Sequence, residues 1–248
     1  MNNKILVRKI HRYIALIVGL QLFFWSIGGL YFSLIPIQEI HGNHLRTPAG
    51  EFDWKSGFSA MSLEELRTLL ISNRIEISKT TSVQLVPLDG ELFYKVRLID
   101  QNVIWVNAKD KFILEKMSKG EALKRAKSAT QNAGEPISIN WITSVEQDSE
   151  YRGKPLPVYR VVFDGEDNLH LYLDGYSGKV ISLRTTKWRI FDFMWMLHVM
   201  DYETRDNFNH ILLQVFAFLA VITSLSGIVL WIVSHRSRKS WRRRVLTS

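Results

Sequence analysis

The sequence predicts an α+β membrane protein: two transmembrane helices flanking a region of two helix-plus-antiparallel-sheet repeats. Three observations carry that expectation. No Asp, Glu, Lys or Arg occurs from Tyr13 to Gln38, nor from His210 to His235. Between these runs the chain turns to short alternating segments separated by turn signals. That middle region also passes twice through one order of helix, strands and tight turn.

Each uncharged run exceeds the roughly 20 residues that cross about 30 Å of hydrocarbon as a helix. The spans are expected at 13–37 and 210–234. A cleavable signal is the other reading of the first run, since Lys4, Arg8, Lys9 and Arg12 precede it. Its length and its aromatic residues (Phe23, Phe24, Trp25, Tyr31, Phe32), with no small-x-small cleavage signature, favour an uncleaved anchor.

The net charge of +8 is unevenly spread. Residues 1–12 carry +4 and 235–248 carry +6, neither with an acid, which leaves −2 for everything between. The basic excess flanks the outer ends of both spans, so both termini are expected in the cytoplasm and residues 39–209 across the membrane. The tail, with Arg236, Arg238, Lys239, Arg242, Arg243 and Arg244, suits the anionic surface of a lipid bilayer better than nucleic acid. The chain has no cysteine, which removes disulfides, thiolate nucleophiles, cysteine-ligated clusters and covalent c-type haem together. A metal here must use His, carboxylate, Met or Tyr.

After a linker at 38–60, the first repeat is expected at 61–117. "SLEELRTLLIS" reads as a helix with a Ser cap, Glu65 three residues on, and Leu63, Leu66 and Leu70 on one face. "TSVQLVPL" and "ELFYKVRLI" flank Asp89-Gly90, a hairpin signal, and "NVIWVN" follows as a strand. The second repeat, 118–186, starts with the Ser-capped helix "SKGEALKRAKSAT", with Ala122, Ala126 and Ala129 inward. "ISINWITSVEQ", "LPVYRVVFD" and "NLHLYLDGYSGKVISL" supply its strands. Ile104–Lys116 aligns without gaps on Leu171–Leu183, both reading strand, turn, strand. At about 60 residues each copy has only a marginal core of its own. Each is expected to pack on the other or on the membrane-proximal helices. Residues 187–209 form an aromatic segment and turn, with Trp188, Phe191, Trp195, His198 or Val199, and Tyr202 at helical spacing. An amphipathic helix on the outer leaflet is the favoured reading; the sharper one has it hold His198 as a ligand.

The run "VYRVVF…LYLDGYSGKV" resembles the PepSY domain, whose last hairpin has an Asp-x-x-Thr/Ser-Gly-x-Val/Ile turn. "VNAKDKFIL" in the first copy lacks the turn glycine and matches as a degenerate repeat. "RKIHRYIALIVGLQLFFWSIGGLYFSL", the upstream "LH" and "SLSGIVLW" resemble the spans of PepSY-associated transmembrane proteins. The resemblance covers nearly the whole chain and implies a bacterial inner-membrane protein with its repeats in the periplasm.

Four histidines lie near the expected boundaries: His11 and His235 at the inner ends of the spans, His198 and His210 at the outer side. His210 and His235 are 25 residues apart, about 37 Å if helical. Counting the same length from His11 reaches Pro36, so His11 and His235 are expected at one depth. Neutral imidazoles on facing helices are what bis-histidine haem ligation needs. Gly19, Ser26, Gly28, Gly29, Ser224, Ser226 and Gly227 would let the helices approach. The plainer reading has interfacial histidines and an ordinary aromatic belt.

The resemblance tips this toward haem. Larger members of the group include ferrisiderophore reductases with four or more helices and two b-type haems on histidines. By that resemblance His11, His198, His210 and His235 are the candidate ligands of haem b iron, and the chain is a component of a ferric-chelate reductase. With only two spans, a four-helix arrangement requires a homodimer. Partners are then a separate cytoplasmic electron donor, since no flavin or nicotinamide motif exists, and a ferric chelate outside. The alternative, also from the resemblance, is a non-catalytic membrane-tethered module whose sheet edges bind a periplasmic protease or envelope protein.

Other constellations are weaker. His41 and His44 in "HGNH" have only Glu39 as a nearby carboxylate for a metal. "GYSG" lies between strands and is not a nucleophile elbow. His170 is expected to point off a sheet face. The sequence has no phosphate loop, dinucleotide fingerprint, H-E-x-x-H helix or carboxylate pair set for hydrolysis.

Overall fold

The structure, a computed structural model, describes residues 3–48, 52–54, 58–100 and 102–245. Parts of the expected 38–60 linker and the extreme ends of both basic termini lie outside the described residues. The chain forms two compact units, one of residues 36–189 and one of residues 1–35 with 190–248.

The 36–189 unit starts with α2 (Ile37–Ile40), following α1 (Asn3–Leu34) of the other unit. Its first half is α3 (Leu63–Ser72), β1 (Thr80–Leu88), β2 (Glu91–Leu98) and β3 (Val103–Asn107). Its second half is α4 (Lys119–Ser128), β4 (Pro136–Ile142), β5 (Val158–Phe163), β6 (His170–Asp174) and β7 (Val180–Arg184). The strands make two antiparallel sheets, ordered β1-β2-β3 and β4-β5-β6-β7.

Both helices begin the same way. The Ser62 hydroxyl accepts from Glu65 N at 3.2 Å and the Glu65 carboxylate from Ser62 N at 2.7 Å. Ser118 and Glu121 repeat this reciprocal cap at 3.2 and 2.7 Å. Each box satisfies donors that a helix start otherwise leaves open. Leu66 and Leu70 are buried, as expected, but Leu63 is 65 % exposed, because the first helical residue points away from the sheet. In α4, Ala122 and Ala126 are fully buried, and Ala129 becomes the half-buried C-cap.

The duplication extends to single hydrogen bonds. Tyr94 OH donates to Met61 O at 2.6 Å, and Tyr159 OH to Met117 O at 2.7 Å. Met61 N donates to Ala108 O and Met117 N to Gly175 O, at 2.7 and 2.9 Å. Asp174 Oδ1 accepts from Tyr176 N and Ser177 N. Asn107 Oδ1 accepts from Lys109 N and Asp110 N at the aligned positions.

The turn glycine missing from the first copy therefore does not cost it the turn. Lys111 takes the left-handed conformation at φ 58°, where Gly178 has φ 66°. That conformation costs a residue with a Cβ roughly 1–2 kcal/mol. Lys111 also meets Glu65 at 2.8 Å, the first cause holding that carboxyl near 2, ahead of the Ser62 bonds. What the first copy has lost is the fourth strand, reduced to a single bridge between Val106 and Ile113.

Gly175 needs its missing side chain for another reason, since a Cβ there would enter the Trp141 ring. Gly175→Ala is expected to cost about 1–3 kcal/mol by overpacking, read as a lower midpoint in denaturant unfolding. The aligned residue of the first copy is Ala108, fully buried without such a conflict.

The other unit is helical: α1, most of α5 (Thr186–Val199) and α6 (Ile211–Val245). His11–Leu34 and Ile211–Ile232 are each long and apolar enough to cross a membrane. Helix α1 ends just before Pro36, which disfavours helical backbone in the residue ahead of it. Helix α5 packs lengthwise on α1 in the opposite direction. Phe191 meets Phe32, Gly28 faces Met194, Trp25 meets His198, and Gln21 Nε2 donates to Leu197 O. The Phe191–Trp195–His198 stripe is thus turned toward α1 rather than spread on a lipid surface. Ile190 and Phe193 are the exposed apolar residues of α5.

Candidate functional site

His198 ends the aromatic stripe of α5. Its ring is 5.4 Å from Trp25 and stacks on Trp195 at 6.2 Å. Its Nδ1 is buried without a hydrogen-bond partner among the described residues, as are His210 Nδ1 and Trp25 Nε1. Buried polar atoms are nearly always paired in folded proteins. Arg205 Nε and Thr223 Oγ1 of the same unit are unpaired too, so the two imidazole nitrogens stand out by their capacity to bind a metal.

The loop between these histidines is built around Asp201, itself buried. Asp201 Oδ1 accepts from Glu203 N and Thr204 N at 3.2 and 3.1 Å. Oδ2 accepts from the Thr204 hydroxyl and, at 3.2 and 3.1 Å, from Asp206 N and Asn207 N. These bonds, that from the Thr204 side chain foremost, hold the carboxyl well below the usual range against the opposing effect of burial. Arg205 pairs with buried Asp192 of α5 at 2.6 Å, and Trp195 Nε1 donates to Arg205 O at 3.0 Å. The loop is thereby fixed to the helix carrying His198 and leads straight into His210, which precedes α6.

At the other end, His11 Nδ1 lies 2.9 Å from Ser226 Oγ. The Ser226 hydroxyl also donates to Thr223 O at 2.9 Å. With its single proton used there, the hydroxyl accepts from His11, whose Nε2 lone pair is left available. A hydrogen bond to one ring nitrogen commonly orients the other toward a metal.

The expected shared depth of His11 and His235 does not hold. Phe208, just before α6, touches Trp195, and Ser226 then reaches His11, so α6 runs antiparallel to α1. His235 is nine residues, about 13 Å, beyond Ser226; it is exposed and stacks on Trp231. The physical reason is α5, which covers α1 from Phe32 down to Gln21. Helix α6 therefore begins level with the middle of α1, well short of its C-terminal end. By the same count His210 lies level with the stretch of α1 around Trp25, which meets His198.

The remaining candidates do not assemble a metal centre. His41 is exposed, and His44 faces Asp167 at 3.5 Å. Groups of three or more metal-ligating residues are absent among the described residues.

One cluster was not foreseen. Glu150 accepts from Tyr172 OH at 2.8 Å and Arg189 Nε at 2.9 Å, and meets His170 Nδ1 at 2.5 Å. Arg184 Nε donates to Glu150 O at 2.7 Å. Burial pushes the Glu150 carboxyl up, but the bonds from His170 and Tyr172 and the nearby charges prevail and hold it at about 2. Burial also raises the Tyr151 and Tyr172 hydroxyls above their ordinary value. His170 does point off its sheet, into this cluster. The partners span β6, β7 and the first turn of α5, while Lys187 of that turn pairs with Glu39 at 2.7 Å. The cluster acts as a clasp where the chain leaves the sheets.

Residues 8–247 match the family described as the PepSY-associated TM region. No curated protein and no solved structure matches the chain. The match spans both apolar helices and both repeats, and the chain belongs to the PepSY-associated transmembrane family, as a membrane protein with two candidate spans.

Proposed function

We propose that the chain is a haem-bearing electron-transfer protein of the bacterial inner membrane that supports reduction of ferric siderophores or related iron complexes. The observation that carries the reading is the buried, unpartnered Nδ1 of His198, clamped between Trp25 and Trp195. His210, also with a buried free Nδ1, is the second outer candidate. The donor chemistry fits, because neutral imidazole is a common axial ligand of b-type haem. A haem b bound there supplies a one-electron iron couple.

The chain's own residues orient, enclose and separate. Asp201 and the Asp192–Arg205 pair fix the loop that presents His198 and His210. Trp25 and Trp195 cover the His198 imidazole. The His11–Ser226 bond presents His11 Nε2 about 21 Å farther along α1 than Trp25. His235 does not face His11 within one chain, so an inner site with two histidine ligands draws its second ligand from another copy, in a homodimer. The basic ends of the chain support cytoplasmic termini and periplasmic repeats, with a separate electron donor inside and a ferric chelate outside.

The reading is tested by haem content of the chain purified from membranes. His198→Ala and His210→Ala are each expected to remove the outer haem and leave the other. Haem content unchanged in both variants would contradict the assignment.

A further inference from the structure

We infer that the cavity between the two repeats binds a small multivalent anion with an apolar flank. The cavity measures about 520 Å³ and is lined by Arg46, Arg125 and Lys179 together with Phe52, Val180 and Asp89. That volume is within the usual range of small-molecule sites, about 300–1,000 Å³.

The cations come from three separate parts of the chain: the segment before the first repeat, helix α4, and the β6–β7 turn. The one acid, Asp89, is taken by Arg125 at 2.5 Å. Arg46 and Lys179 are exposed, and neither side chain has an ion-pair or hydrogen-bond partner among the described residues. The positive field reaches beyond the cavity: the Lys95 ammonium is pushed down first by burial and then by Arg97 and Lys179. At the end of α4, Ala129 O is bonded by Thr47 N and Ala126 O by the Thr130 hydroxyl.

An ordinary solvated surface intersperses acids among its cations; here like charges converge on a concave wall with an aromatic ring in it. Leu88 pairs with Glu91 across the β1–β2 turn, and Gly178 N bonds Asp174 O. The turn hydrogen bonds at the cavity are thus made within the chain, although β1 and β7 beside it are the edge strands of their sheets.

This inference is independent of the haem reading, and either can fail alone. The test titrates the full chain in neutral detergent with isophthalate, an aromatic dicarboxylate, and in a second arm with pyrophosphate. Benzamide serves as the uncharged control. Saturable, salt-sensitive binding of at least one anion is expected, with none of benzamide. The arm that binds more tightly tells carboxylate from phosphate chemistry. Arg46→Gln with Lys179→Gln is expected to weaken binding at least about tenfold, from two lost charged hydrogen bonds. Phe52→Ala is expected to weaken isophthalate but not pyrophosphate. Because both cations are exposed, the double variant should melt as the parent does. It also keeps the basic tail, so binding unchanged in that variant belongs to the tail and overturns the inference. Absence of saturable binding by both anions overturns it equally.

Discussion

Glu150→Gln is expected to cost the folded chain about 3 kcal/mol, the low end for breaking a buried ion pair. The side chain is 20 % exposed and meets His170, Tyr172 and Arg189 together. Glutamine has the same shape but no charge, so the Arg189 guanidinium is left without its carboxylate. Equilibrium unfolding in denaturant, followed by tryptophan emission, should show the midpoint fall. A midpoint within error of the parent would contradict the clasp.

The same group sets an acid limit. Its carboxyl moves from 4.5 to about 2 on folding. Below the lower value both folded and unfolded chains carry the proton and the stabilisation is gone; above the higher value neither does and it is fully present. Stability is therefore expected to fall between about pH 4.5 and pH 2, and Glu150→Gln should flatten that part of the profile.

Asp201→Asn is expected to loosen the loop between His198 and His210. Asparagine can still accept at Oδ1, but its amide donates where Oδ2 accepted from Thr204, Asp206 and Asn207. Loss of charged hydrogen bonds of this kind costs about 2–3 kcal/mol. Hydrogen exchange should accelerate at the Thr204, Asp206 and Asn207 amides, with α1 and α6 little changed. Unaltered exchange at those three amides would show that Asp201 does not hold the loop. Under the proposed function the variant should also lose the outer haem more readily than the inner one.

The difference between legible and hidden features follows from their range. The capping boxes at Ser62 and Ser118, the Asp89-Gly90 hairpin and the uncharged runs are local patterns, and the structure forms each of them. The turn at Asn107–Lys111 reads as degenerate because a glycine is absent. Yet asparagine supplies the same acceptor as Asp174, and Lys111 tolerates the left-handed backbone. Glu150 gave no signal at all, because its partners His170, Tyr172, Arg184 and Arg189 meet it only after the loop folds back over the sheet. The histidine levels failed for a related reason. Counting residues along two spans assumes that both begin at one boundary, whereas α5 occupies the C-terminal part of α1 and shifts the start of α6 toward the N-terminal part. His198 is legible as one alternative, with Val199, within an aromatic stripe that continues to Tyr202; its contact with Trp25, 173 positions earlier in the chain, is not.

The central claim is that these half-buried histidines hold haem. The most direct measurement is the absorption spectrum of the full chain, purified from membranes after haem-supplemented expression, before and after dithionite. The account predicts a Soret band that sharpens and shifts on reduction, with b-type α and β bands, reduced in His198→Ala. A colourless protein would contradict it and leave the membrane-tethered binding module as the reading of this chain.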